Sequence, residues 1–121
     1  MINMIQIVFI RSGYKRCLKV SGHAGYAEQG KDIVCAAASM LAYTLGQTVI
    51  NMHANDQLAE EPVMEFASGD AAITCTPKDE YRELTDAAMW VIENGARCLE
   101  ATFPDYVRVH RVGYAEDGEE I

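Results

Sequence analysis

Across residues 33–52, Ile33, Val34, Ala37, Leu41, Leu45, Val49 and Met52 recur close to helical spacing, and charged side chains are scarce. In a small chain a helix this apolar must be covered by the rest of the fold, so the spacing predicts a strongly buried helix. Asp32 is placed to cap its start, and the run should fade near Asn51. The residues before it add a second constraint. An alternating, strand-like segment stops at Ser21, and a loop holding Gly22, Gly25 and Gly30 leads into the helix. Residues 21–39, SGHAGYAEQGKDIVCAAAS, therefore set His23 at a strand end and Cys35 in the first helical turn.

That placement carries chemistry. A helix start exposes unpaired backbone N–H groups and partial positive charge, which favour a thiolate and can hold a developing oxyanion. An imidazole folded back across the thiol would complete a nucleophile and base pair. A strand end and a helix start joined by one short loop lie near each other, which brings His23 within reach of Cys35. Asp32 has two competing roles: capping the amides of Val34 or Cys35, or orienting His23 as a third catalytic member. Ser39 falls on the same helix face as Cys35 and could order the site, or simply bond back to the Cys35 carbonyl. Gly22, Gly25, Tyr26 and Gly30 mark a loop that reads either as a substrate-binding lid or as a plain mobile turn. Cys17, Cys75 and Cys98 are expected to serve packing, and His53 and His110 to be structural or solvated.

The same residues carry a resemblance. GHAGYAEQGKDIVCAAAS resembles the signature of the bacterial ribosomal-processing cysteine proteases, known as Prp. The resemblance implies His23 as base and Cys35 as nucleophile, with Asp32 and Ser39 as supporting polar residues. It implies a homodimer and a substrate: the N-terminal extension of the bacterial large-subunit ribosomal protein numbered twenty-seven, cut after a pair of phenylalanines before a lysine-rich segment. Peptide hydrolysis of this kind requires no metal and no organic cofactor.

Composition narrows the alternatives. With 121 residues, half of them hydrophobic, the chain can bury one core, so residues 1–114 are expected to form a single domain and the acidic residues 115–121 a disordered tail. The apolar residues 4–10 are too short to span a membrane and carry no cleavage pattern, so they read as a first strand. Four scattered cysteines without a C-x-x-C pattern argue against a zinc ribbon, and free thiols in a reducing cytoplasm are the expectation. Arg11, Lys15, Arg16, Lys19 and Lys31 against Glu28 alone give residues 1–31 a charge of +4, and the remainder carries −12. So acidic a chain disfavours direct nucleic-acid binding and suits a basic protein partner.

The remaining elements read in order as a strand over residues 4–10, a hairpin partner over 17–21, and a second hairpin from 63–67 and 71–75 around Ser68, Gly69 and Asp70. A second helix is expected to open at Thr76 and Pro77 with Asp79 in a capping box. It would bury Tyr81, Leu84, Ala88, Val91, Gly95 and Cys98, and stop at Pro104. An edge-like strand holding Val107 and Val109 closes the chain. The order β-β-α-β-β-α-β favours an α+β domain, one mainly antiparallel sheet with two helices packed against it. Two other functions use the same residues: a non-catalytic ribosome-associated binding module, and a redox-sensing thiol protein that would need a resolving cysteine near Cys35.

Overall fold

Strand β1 (Ile5–Ser12) buries alternate residues, Ile5, Ile7 and Phe9, as a strand with one covered face does. The computed structural model describes residues 3–28 and 30–114; the acidic tail, with its expected disorder, lies outside them. β2 (Lys15–Ser21) returns antiparallel to β1. Helix α1 (Ile33–Ala54) follows, then the hairpin of β3 (Val63–Ala67) and β4 (Asp70–Cys75). A short 3-10 turn (Asp79–Tyr81) precedes α2 (Arg82–Thr102), and β5 (Val107–Val112) ends the fold.

The element order is the expected one, and the strands lie in the order β3-β4-β2-β1-β5. Neighbours are antiparallel except β1 and β5, which run parallel, so the sheet is mixed. Pairing of β2 with β4 sets Ser21 opposite Asp70, which carries the β3–β4 turn to the end of β2, where the Gly-rich loop begins. Both helices cover the sheet face that presents Ile5, Ile7, Phe9, Leu18, Ile73 and Val107. α1 contributes Val34, Ala38, Ala42, Leu45, Val49 and Met52 to that core, and α2 contributes Met89, Ile92, Ala96 and Leu99. Each large aliphatic side chain buried there stabilises the fold by roughly 2 kcal/mol.

Three expectations change. α1 is only half covered: Ile33, Met40, Tyr43 and Ile50 are exposed, because the sheet and α2 reach only part of its circumference. By length and composition α1 could cross a membrane, yet its covered face is built into the core.

α2 buries the stripe beside the expected one. Thr85, Met89, Ile92, Glu93, Ala96 and Leu99 are inside, while Leu84 and Val91 are exposed by half or more and Cys98 faces outward. Two polar residues make that face possible because both are satisfied. The Thr85 hydroxyl donates to the Tyr81 carbonyl, and the Glu93 carboxylate accepts from both Arg111 and Arg97. Gly95 faces α1, where a Cβ would come within 2.7 Å of the Leu41 side chain.

Residues 76–78 do not start the helix. The Ala59 N–H donates to the Thr76 carbonyl, the Lys78 N–H donates to the Gln57 carbonyl, and Leu58 bridges Pro77. The Thr76 hydroxyl donates to Glu60 rather than capping, so the turn begins at Asp79 and the helix at Arg82.

Candidate active site

β2 ends at Ser21, and Gly22 follows with a left-handed φ of 93°. A Cβ on Gly22 would lie 2.3 Å from the Met4 carbonyl oxygen, so only glycine lets the chain turn away this close to the segment leading into β1. The Gly22 N–H donates to the Gly69 carbonyl in the β3–β4 turn. His23 is thereby delivered to the mouth of a cleft of about 730 Å³, whose walls also include Asp32, Cys35, Ser39, Tyr43, Phe66 and Gly69. His23 and Cys35, expected together from sequence, line one cleft.

Cys35 stands in the first turn of α1 and is partly buried. The backbone N–H of Ala24, a wholly buried residue one position past His23, donates to its Sγ at 3.4 Å. No hydrogen bond joins His23 to Cys35, and among the described residues none reaches the imidazole at all. Burial pushes the Cys35 thiol up, the Ala24 amide pulls it down, and the Asp32 carboxylate pushes it up again, leaving it above the ordinary 9.0. The shift is opposite in direction to the lowering that a helix start suggested. Alkylation of Cys35 by iodoacetamide in the free protein, followed by peptide mapping, should keep accelerating above pH 9.0. A plateau at neutral pH would show instead that the thiolate already exists at rest.

Asp32 is the helix cap, and it is more than that. Its Oδ1 accepts from the N–H groups of Val34 and Cys35, both at 3.0 Å. Its Oδ2 accepts from Tyr26 at 2.9 Å and Ala27 at 3.3 Å, stapling the loop to the helix. Burial alone would raise this carboxyl, but the four amides outweigh it and hold it below its ordinary value. Both oxygens are engaged by backbone, so the competition between cap and His23 partner resolves for the cap. Ser39 lines the cleft, and its hydroxyl makes neither of the expected bonds, to the site or back to the Cys35 carbonyl.

The loop is also held from the other side. The Tyr26 ring sits edge-on to Phe103 and Tyr106, with centroids 5.4 and 5.3 Å away. Gly25, with φ 67°, has its missing Cβ position occupied by Asn3, while Gly30 faces open space. Across the cleft Phe66 leans on Tyr43 at 5.5 Å and lies over Gly46, forming an apolar wall. Sequence reasoning missed that wall and the turn at Gly69. The hairpin itself was legible, but only the β2–β4 pairing brings its turn to His23. Among the described residues no second cysteine lines the cleft, and burial drives Cys75 up to about 11.

The chain matches the family model described as cysteine protease Prp over residues 4–108. No curated protein matches it by sequence. Its fold is similar to that of the essential ribosomal processing protease Prp from S. aureus, solved with a covalently linked product peptide. The TM-score is 0.70 at 20% identity, covering 89% of this chain and 99% of that one. The same S. aureus protease solved with a substrate peptide matches with a TM-score of 0.63 at 18% identity, covering 89% and 99% of the two chains. A protein from Streptococcus mutans matches with a TM-score of 0.63 at 25% identity, covering 91% of this chain and 95% of that one.

Proposed function

This chain belongs to the Prp family of cysteine proteases, and from that premise we propose that it removes the N-terminal extension of the bacterial large-subunit ribosomal protein numbered twenty-seven during ribosome assembly. The observation that carries the reading is Cys35 at the start of α1, sharing one cleft with His23 and holding an amide N–H on its sulfur. Cys35 attacks the scissile carbonyl as its proton passes to His23, giving a tetrahedral intermediate. The Val34 and Cys35 amides are committed to Asp32, so the amide placed at the sulfur to hold the oxyanion is that of Ala24. His23 then protonates the departing amine, leaving an acyl-thioester on Cys35. Water, deprotonated by His23, releases the acyl product and restores the thiol. The raised thiol fits this order, in which the sulfur gives its proton to His23 as it attacks.

The wall of Tyr43 and Phe66 supports the expected cut after phenylalanine, since it offers apolar surface in the same cleft as the sulfur. The acidic character of residues 32–121 suits a lysine-rich partner. Purified protein incubated with the extended ribosomal protein should give product masses for a single cut after the phenylalanine pair. Intact substrate, or cutting elsewhere, would count against the assignment. The redox alternative is disfavoured by the absence of a second cysteine from the cleft lining.

The protein works as a homodimer in the bacterial cytoplasm on this reading. Leu84, Trp90 and Val91 on α2, with Met40 on α1, leave apolar surface exposed that a second copy could cover. Light scattering should give about twice the chain mass of 13.4 kDa, and Trp90→Glu should return the monomer. A wild-type monomer at micromolar concentration would remove the dimer from the account.

A further inference from the structure

In a nucleophile and base pair the imidazole needs something to hold its orientation, and the usual device is a carboxylate on the far ring nitrogen. Two carboxylates share the cleft with His23, and neither holds the ring: Asp32 accepts four backbone N–H bonds, and Asp70 makes no hydrogen bond to the imidazole among the described residues. What touches the imidazole instead is the turn between β3 and β4. A Cβ placed on Gly69 would lie 2.5 Å from His23 Nε2, 2.8 Å from Cε1 and 3.2 Å from Cδ2. The ring therefore lies in the space that a side chain at residue 69 would fill.

Building on the reading of His23 as the base for Cys35, we propose that the β3–β4 turn orients the imidazole and that Gly69 is the positioning residue. The turn acts at two points. The bare Cα of Gly69 supplies the surface against which the ring rests, and the Gly69 carbonyl accepts the N–H of Gly22, the residue preceding His23. Backbone and ring of the base are thus referred to one rigid feature. That feature is fixed by the sheet, since Asp70 pairs with Ser21 at the end of β2.

Gly69 answers two separate demands. Its φ of 73° is left-handed, which any side chain resists, and its missing Cβ makes room for the ring. Gly13, in the turn between β1 and β2, meets only the first. Its φ is 59°, and a Cβ there would meet nothing within 4 Å. Gly69→Ala and Gly13→Ala therefore impose similar backbone strain, while only the first displaces the imidazole.

The test measures kcat and KM on the extended ribosomal protein for both variants, with Tm and the NMR titration of the His23 Cε1 proton. Gly69→Ala should lower kcat about 30-fold, as a misplaced catalytic group does, with KM within about twofold. Its His23 resonance should move. Gly13→Ala should lose a similar amount of Tm and keep its kcat and its His23 resonance. If Gly69→Ala keeps kcat, or loses no more than Gly13→Ala does, the positioning role is wrong. A readout on the wild type guards against a variant that fails to fold: a nuclear Overhauser contact between the His23 Cε1 proton and the Gly69 α-protons. Its absence overturns the proposal whatever the variants do. The two readings fail separately. A wild type that shows the contact but cuts nothing contradicts the protease substrate, whereas one that cuts normally without the contact contradicts only the role of Gly69.

Discussion

Replacing Cys35 with alanine should abolish cleavage, lowering kcat on the order of 10⁴-fold or more while leaving the protein folded and able to bind its substrate. On the proposed mechanism the sulfur forms the covalent intermediate, and among the described residues no other thiol lines the cleft to take its place. Folding should survive because Cys35 is only partly buried and the hydrogen bond its sulfur accepts from the Ala24 N–H is weak. His23→Ala should cost about 10³-fold, the usual share of a general base and acid. The two variants should differ in one further respect. No hydrogen bond joins the imidazole to the resting thiol, so alkylation of Cys35 in the free His23→Ala protein should follow nearly the wild-type pH curve. Cleavage by Cys35→Ala at the wild-type rate would end the nucleophile assignment. A large fall in alkylation of His23→Ala would show a thiolate and imidazolium pair already formed at rest.

Asp32→Ala should be the most destabilising substitution near the cleft, at about 3 kcal/mol, or a Tm lower by roughly 10 °C. A helix cap alone contributes about 1 kcal/mol, and here the same carboxylate also holds the amides of Tyr26 and Ala27. Losing it frees the helix start and the loop together, so activity falls as a consequence of loop release. The pH dependence has a defined sign. The folded carboxyl binds its proton less tightly than the ordinary value of 3.8, so its contribution is complete above that pH and disappears as the pH falls through the lower folded value. Wild type should therefore lose stability on acidification over that window, and Asp32→Ala should lose less. The contrary result is a Tm within about 2 °C of wild type combined with an altered His23 titration, which would make the carboxylate a partner of the imidazole.

The parts of the molecule that local chemistry controls were legible in the chain. The Asp32 cap follows from a short polar side chain before an apolar run, and Val34 and Cys35 donate to it as expected. The β3–β4 hairpin follows from two short apolar segments around Ser68 and Gly69, and His23 and Cys35 reach one cleft because a single loop joins their elements. What stayed hidden depends on partners far along the sequence. α2 carries apolar residues on two adjacent stripes, and the choice between them rests on Glu93 meeting Arg111 from β5. Thr76 and Pro77 have the composition of a helix start, but the 57–59 segment pairs with them first. The turn at Gly69 reaches His23 only through the strand order, which no local pattern encodes. The Cys35 thiol lies above its ordinary value because burial and the Asp32 charge outweigh the Ala24 amide, a balance set by tertiary packing.

The measurement that bears most directly on the account is the intact mass of the enzyme after an acid quench during turnover of the extended ribosomal protein. The account predicts an adduct equal to the N-terminal product less one water, mapped to Cys35 as a thioester, absent from Cys35→Ala and discharged by hydroxylamine. Turnover with no adduct at any quench time, or an adduct mapped to another residue, would contradict it.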